Sequence, residues 1–131
     1  MTGIYLGDLR TEATHLKSGN KIMTDAPLDN NGKGEAFSPT DLTCASLNSC
    51  MMTLMGIVAQ REAVDLAGLR SEIVKIMAVN PRKIDEIKIV FTHDNLDATD
   101  IQKEKLKRAA LTCPVALSLH EAIKQTIEFN F

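Results

Sequence analysis

The sequence has 131 residues, of which 44% are hydrophobic and 4% aromatic, and this composition suits one domain with an aliphatic core. Its net charge of −2 excludes the strongly basic class of protein, so we expect no nucleic-acid partner. Because the first residues lack a signal-peptide pattern, and because polar residues interrupt the longest apolar segment, 42–59, we expect a cytoplasmic protein that does not span a membrane.

The first part of the chain alternates between strand patterns and turns. Residues 4–16 show the period of two that is typical of a half-buried strand or a pair of strands. A Ser-Gly-Asn turn at residues 18–20 leads to a short strand over residues 21–24, and together they predict a hairpin. The loop that follows, 25–37, is polar and long for a compact domain, and such loops are often functional.

A long helix is predicted to begin at Ser38 and to run to about Arg61. Ser38 suits its N-cap, Pro39 its first position and Asp41 its third, which completes a capping-box pattern. Apolar residues lie on nearly every side of this helix, so it should be buried on most sides. Since one small domain rarely surrounds a helix so fully, we expect an intimate homodimer.

The second half of the sequence predicts two strands, two helices and a last strand, in the order 73–79, 84–92, 100–112, 115–123 and 127–131. The Cys113-Pro114 step separates the two helices, since the residue before a proline disfavours helical geometry. The whole pattern predicts an α+β fold, in which antiparallel strands pack on a long buried central helix and a shorter C-terminal helical pair.

Three cysteines, Cys44, Cys50 and Cys113, are the candidates for chemistry. Their odd number argues against structural disulfides, and no histidine lies at a metal-ligand spacing from them, so we expect no metal site. Cys113 lies at a predicted helix start, where N–H groups and the helix dipole favour a thiolate. Taken alone, Cys50 is compatible with a core position as well as with a nucleophile, and Cys44 is interpreted as core.

Two segments resemble the cysteine motifs of the OsmC/Ohr family (osmotically inducible protein C and organic hydroperoxide resistance). The first consists of residues 38–42 (Ser-Pro-Thr-Asp-Leu) and 45–50 (Ala-Ser-Leu-Asn-Ser-Cys), and the second of residues 109–119 around Cys113. The interval of 62 residues between the two cysteines and the helix–hairpin–helix order also resemble the family. The resemblance covers essentially the whole chain and implies one domain over residues 1–131.

The resemblance implies an intertwined homodimer that reduces organic hydroperoxides at active sites on the subunit interface. Cys50 matches the cysteine that attacks the peroxide and becomes a sulfenic acid, and Cys113 matches the cysteine that condenses with it to a disulfide. An external dithiol, of the lipoyl type in some branches of the family, then reduces this disulfide. No metal or organic cofactor is implied.

A peroxidatic thiolate also needs a cation, and the family uses an arginine that a glutamate holds. Arg10 is the only arginine before Cys50, and it matches that arginine by resemblance. The glutamate position, ten residues before the cysteine, is occupied by Thr40. Asp41 is the next residue, about 100° further around the helix, and it is interpreted either as the replacement acid or only as part of the capping box.

Because Thr40 occupies the position of the family glutamate, a second function is considered. The chain could be a dimeric small-molecule binding protein that has the same fold and both thiols, with little or no peroxidase turnover. Four apolar residues near Cys50 in the sequence have two interpretations as well, either as the wall of a pocket for an apolar peroxide or as ordinary core; they are Leu47, Met51, Leu54 and Met55.

Overall fold

The computed structural model describes all residues, Met1–Phe131, and its α+β fold agrees with the prediction. The strands are β1 (Thr2–Gly7), β2 (Arg10–Thr14), β3 (Lys21–Thr24), β4 (Arg70–Val79), β5 (Arg82–Thr92) and β6 (Lys124–Asn130). The helices are α1 (Pro39–Arg61), α2 (Asp100–Leu111) and α3 (Pro114–Ser118), and a 3-10 turn covers Leu28–Asn30. The chain divides into two compact units, residues 1–43 and 44–131.

The first unit contains an antiparallel sheet in the order β1-β2-β3. Ile4 of β1 lies opposite Glu12 of β2, which lies opposite Met23 of β3, so these side chains share one face. The first five residues of β1 are exposed, including Ile4, Tyr5 and Leu6. Within this chain, the sheet therefore presents apolar side chains to solvent on both of its faces.

The loop 25–37 has a defined backbone structure. The amide of Asp25 donates to the carbonyl of Phe37 at 3.1 Å, and the amide of Gly34 donates to the carbonyl of Ala26 at 3.1 Å. Gly32 lies against Ala26 so closely that a Cβ atom would collide with the carbonyl group of Ala26. The loop is thus closed on itself by main-chain hydrogen bonds.

The second unit contains a sheet in the order β4-β5-β6. β4 and β5 form the expected antiparallel hairpin, whereas β6 pairs with β5 in parallel, with Phe91 opposite Phe129. The expectation of antiparallel strands is therefore wrong for this pair. The physical reason is that α2 and α3 lie between β5 and β6 in the chain and return it to the same end of the sheet, as a parallel crossover requires.

The central helix α1 buries one stripe of side chains. The buried residues recur every three or four positions and include polar Asn48; they are Cys44, Leu47, Asn48, Met51, Met55 and Ala59. They join a core with Ile87, Ile89 and Phe91 of β5 and Leu106 of α2. The other apolar positions of α1 are only half-buried, and Ile57 is 38% exposed, so a single chain does not bury this helix on most sides.

Two boundaries differ from the prediction. The helix predicted over residues 115–123 ends at Ser118, because Leu119 adopts an extended conformation with φ −72° and ψ 147°. β6 then begins at Lys124 rather than at residue 127. By length and composition alone α1 could also cross a membrane, a criterion that the core helix of a globular protein meets as well.

Candidate active site

Cys113 is the N-cap residue of α3. Pro114 at the first helical position has no N–H group and keeps the preceding residue extended, and Cys113 has φ −68° and ψ 147°. The Sγ atom of Cys113 accepts a hydrogen bond from the amide of Ala116 at 3.4 Å. The side chain is fully buried. The helix-start position that the sequence predicts for this cysteine is therefore confirmed.

The structure brings Cys50 of α1 next to Cys113. The two thiols are so close that Cys50 affects the pKa of Cys113 through a hydrogen bond and through its charge. Neither cysteine is in a disulfide. Cys50 is half-buried and Cys113 fully buried. Two residues 63 positions apart in sequence are thus neighbours, and we call them the cysteine pair.

Burial raises the pKa of the Cys113 thiol, and the neighbouring Cys50 raises it further, while the amide of Ala116 opposes both effects. The expected stabilisation of a Cys113 thiolate by the helix start is therefore outweighed by desolvation. At neutral pH Cys113 is a neutral thiol that can donate a hydrogen bond to its neighbour. The cysteine pair thus combines a half-buried cysteine with a fully buried, protonated one, an arrangement that can form a disulfide once the Cys50 thiol has been oxidised.

The remaining residues around Cys50 along α1 belong to the core. Cys44 is 2% exposed and lies on the buried stripe, as the core interpretation predicts. Leu47, Met51 and Met55 are fully buried, and Leu54 packs against the same core. The first three side chains are therefore ordinary core, and they do not line a pocket open to a peroxide.

In the first unit, the guanidinium of Arg10 contacts two carboxylates. Its Nη2 atom lies 3.5 Å from Oδ2 of Asp25 and donates a hydrogen bond to Oε2 of Glu35. The Nε atom of Arg10 is buried and has no hydrogen-bond partner in this structure. We call these three residues the Arg10 cluster.

Asp25 is the buried acid of the Arg10 cluster. Its side chain is fully buried, and its Oδ2 atom accepts a hydrogen bond from the amide of Glu35 at 2.9 Å. This hydrogen bond, together with the charge of Arg10, holds the pKa of Asp25 below its usual value in spite of burial. Asp25 is therefore an anion that Arg10 and the amide of Glu35 stabilise together, although its Oδ1 atom is buried without a hydrogen-bond partner.

Asp41 has the geometry of a capping-box residue. Its Oδ2 atom accepts hydrogen bonds from the amide of Ser38 at 2.8 Å and from the Ser38 hydroxyl at 2.7 Å. In return, the amide of Asp41 donates to Oγ of Ser38 at 3.2 Å. These contacts agree with the capping-box interpretation of Asp41. The carboxylates that contact Arg10 belong to Asp25 and Glu35.

Sequence reasoning missed Asp25 and Glu35. Both lie in the loop 25–37, whose length was the available signal that it has a function. Asp25 and Glu35 are 15 and 25 positions from Arg10 and lie outside its strand, so the strand period does not relate them to Arg10. Only the folded loop brings them to the guanidinium.

Comparison with known proteins identifies the family. The family model for OsmC-like proteins matches residues 32–128, and no curated protein matches the sequence. A solved structure from Psychrobacter arcticus 273-4, of a candidate osmotic stress induced and detoxification response protein, is 48% identical to this chain. Its TM-score is 0.93, and the alignment covers 98% of this chain and 93% of that one.

Two more distant structures share the fold. An OsmC-like protein from Mycoplasma pneumoniae is 16% identical with a TM-score of 0.80, over 98% of this chain and 93% of that one. The organic hydroperoxide resistance protein OhrB of Bacillus subtilis is 15% identical with a TM-score of 0.66, over 98% and 96% of the two chains. The family match over residues 32–128 and the 48% identity to the Psychrobacter protein show that the chain belongs to the family of OsmC-like proteins.

Proposed function

We propose that this protein is a cysteine-based peroxidase that reduces organic hydroperoxides. The observation that carries the proposal is the contact between the thiols of Cys50 and Cys113, neither of which is in a disulfide. The contact is asymmetric, because Cys50 is half-buried while Cys113 is fully buried and has a raised pKa. This asymmetry supports Cys50 as the residue that attacks and Cys113 as the residue that resolves.

The proposed reaction has three steps. The Cys50 thiolate attacks the terminal oxygen of the hydroperoxide, the O–O bond breaks, and the alkoxide takes up a proton to leave as an alcohol. The Cys113 sulfur then attacks the Cys50 sulfenic acid and forms a disulfide, with loss of one water molecule. An external dithiol reduces this disulfide by exchange and is itself oxidised to a disulfide. Oxidation and reduction balance without a metal or an organic cofactor.

Arg10 is the proposed cation for the Cys50 thiolate. An arginine remains charged at any physiological pH and donates hydrogen bonds in a fixed geometry. This role comes from the family resemblance, and the carboxylates that contact Arg10 supply the acidic partner that the family has at the position of Thr40. Thr40 therefore no longer favours the alternative of a binding protein without turnover.

The organic class of peroxide and the external dithiol are also proposals from the family. The Bacillus subtilis relative is named as an organic hydroperoxide resistance protein, and it shares the fold with this chain. A lipoyl-type dithiol is the reductant that the resemblance suggests.

We propose further that the protein acts in the cytoplasm as a homodimer. The exposed apolar side chains of β1 and the partly exposed apolar positions of α1 support the dimer.

The test counts free thiols and measures intact mass before and after one equivalent of cumene hydroperoxide. Wild type should lose two thiols and gain a disulfide between Cys50 and Cys113. Cys113→Ser should accumulate a sulfenic acid on Cys50, which a dimedone probe traps, and Cys50→Ser should not react. Cycling with dihydrolipoamide then measures whether the reaction is catalytic.

Cys44→Ser is the matched control, because it removes the third cysteine from the buried stripe of the same helix. It should lose two thiols as the wild type does. If one equivalent of peroxide leaves all three wild-type thiols intact, the peroxidase proposal is wrong. The small-molecule binding protein then becomes the better description of the chain.

A further inference from the structure

We propose that Met52 is a reversible modification site, at which a hydroperoxide oxidises the thioether to a sulfoxide that Asn48 and Ser71 hold in the folded protein. All three residues belong to the second unit, and none of them is a member of the cysteine pair. The site gives the protein a second oxidisable sulfur, and its chemistry does not depend on peroxidase turnover.

Two polar side chains converge on the sulfur of Met52. The Nδ2 atom of Asn48, which lies four positions earlier on α1, donates to Sδ of Met52 at 3.5 Å. The Oγ atom of Ser71, on β4, donates to the same Sδ atom at 3.9 Å. Because the two donors come from different elements, the folded chain builds a small polar site around one thioether.

In the reduced protein these two donors share a weak acceptor, since a thioether sulfur accepts hydrogen bonds poorly. Asn48 is only 9% exposed, and its Oδ1 atom is buried without a hydrogen-bond partner. Buried polar groups that lack good partners cost free energy. An oxygen atom on Sδ of Met52 would give both donors a strong acceptor, because the S–O bond of a sulfoxide is highly polar.

Exposure distinguishes Met52 from the other methionines of α1. Met52 is half-buried, whereas Met51 and Met55 are fully buried in the hydrophobic core. A fully buried thioether reacts only when the structure opens locally. Its sulfoxide would also place a polar oxygen among apolar side chains, which is unfavourable. Met52 is therefore the methionine of α1 that combines access for a peroxide with donors for the product.

The Met52 site is separate from the cysteine pair. Cys50 precedes Met52 by two positions, which corresponds to a turn of about 200° around the helix. The two sulfur-containing side chains therefore leave α1 on different sides. Oxidation of Met52 is thus a reaction of its own, close to Cys50 in sequence but outside the proposed disulfide chemistry.

The proposed step is an oxygen transfer. A lone pair of the Met52 sulfur attacks the terminal oxygen of the hydroperoxide, the S–O bond forms and the O–O bond breaks. The proton of the terminal oxygen passes to the alkoxide, which leaves as an alcohol. The sulfur loses two electrons and the peroxide gains them. Negative charge develops on oxygen during this step, so donors that are already in place lower its barrier. A methionine sulfoxide reductase reverses the modification.

The first test maps oxygen uptake in wild type treated with hydrogen peroxide, the simplest hydroperoxide. Fragment-ion mass spectrometry assigns the added oxygen to Met51, Met52 or Met55, and an added methionine peptide is the rate standard. Met52 should be oxidised at least about tenfold faster than the other two, which need local opening. Ser71→Ala should slow oxidation of Met52 by about threefold, as for loss of one hydrogen bond. Ser46→Ala, at an exposed position of α1, is the matched control and should react as wild type.

The second test uses glutamine in place of the sulfoxide, because its side-chain carbonyl is a strong acceptor on a chain of similar length. Met52→Gln should change the melting temperature by less than about 3 °C, since Asn48 and Ser71 can donate to this carbonyl. Met55→Gln is the matched control on the same helix. It should lower the melting temperature by about 10 °C or more, because it buries an amide in the core. Scanning fluorimetry measures both variants without any peroxide.

The results decide between a site that promotes oxidation and one that prevents it. If the two donors protected the thioether by occupying its lone pairs, Ser71→Ala would accelerate oxidation of Met52, and the inference would be wrong. An unchanged rate in Ser71→Ala, equal oxidation of Met52 and Met55, or equal losses of stability in the two glutamine variants would overturn it as well. Circular dichroism reports whether Ser71→Ala folds, and if it does not, the glutamine pair still decides.

The inference and the proposed function fail separately. Oxygen uptake at Met52 is measured as sulfoxide, whereas the peroxidase proposal is tested by the loss of two free thiols. If Met52 is oxidised as expected while cumene hydroperoxide leaves the thiols of the cysteine pair intact, the modification site stands and the peroxidase proposal is wrong. If the thiols react but Met52 is oxidised no faster than Met55, the peroxidase proposal stands and the modification site is wrong.

Discussion

The Sγ atom of Cys113 accepts the amide hydrogen of Ala116 at 3.4 Å, and yet burial raises the pKa of this thiol above its ordinary value. The helix start alone would favour the thiolate. Desolvation opposes it, because a charged sulfur loses its hydration when it is fully buried. The folded protein therefore favours the protonated form of Cys113.

This pKa shift predicts that the protein loses stability at alkaline pH. A group with a raised pKa in the folded state contributes its stability below the unfolded pKa and loses it as pH rises through the folded pKa. The ordinary thiol value is 9.0, so the melting temperature of reduced wild type should fall as pH increases beyond about 9. Cys113→Ser should show a weaker fall over the same range. Equal slopes in differential scanning fluorimetry would contradict the shift.

Phe91 should contribute strongly to stability. It is fully buried on β5, and its ring stacks on that of Phe129 at a centroid distance of 5.6 Å. Phe91→Ala should lower the free energy of unfolding by about 3–5 kcal/mol, because it leaves a cavity and removes a ring contact. Val79, which is 91% exposed, provides the control, since Val79→Ala should change stability by less than about 0.5 kcal/mol. Urea denaturation measures both variants, and a small effect at Phe91 would mean that the core repacks.

The start of α1 was predictable from sequence because its causes are local. Ser38, Pro39 and Asp41 specify the first turn within four residues, and the observed helix, Pro39–Arg61, agrees with the prediction within one residue. The parallel pairing of β6 was not predictable in this way. It depends on where two helices return the chain, and the period of a strand contains no information about the direction of its neighbour.

The cysteine pair and the Arg10 cluster differ in the same respect. The proposed roles of Cys50 and Cys113 rest on the resemblance of two motifs to the family, and the structure brings the two thiols together. The acids that contact Arg10 had no motif, because their positions depend on the hydrogen bonds of the loop and on the close approach of Gly32 to Ala26. Thr40 occupies the position of the family glutamate, so the sequence offers the neighbouring Asp41 as a replacement acid. The carboxylate of Asp41 instead caps α1 by hydrogen bonds with Ser38.

Asp25 predicts a loss of stability at acid pH. Its folded pKa lies below the ordinary value of 3.8, so its contribution is fully present above that value and is lost as pH falls through the folded pKa. Asp25→Asn should therefore be less stable than wild type at pH 7, and the difference should narrow below about pH 4. Asp8→Asn is the exposed control and should follow the wild-type curve. A constant difference between wild type and Asp25→Asn from pH 7 to pH 3 would show that the charge of Asp25 does not stabilise the fold.

The proposed homodimer predicts that charges in the first sheet will separate the subunits. Ile4 and Ile22 are 59% and 52% exposed, and the strand register puts them on opposite faces of the sheet. If a dimer interface buries these two side chains, an aspartate in their place is unfavourable because its carboxylate loses its hydration. Light scattering should therefore report about twice the chain mass of 14.4 kDa for wild type and the single chain mass for the double variant Ile4→Asp, Ile22→Asp. Val79→Asp, at the end of the β4–β5 hairpin, should remain dimeric, and a wild-type protein with the mass of one chain would contradict the dimer itself.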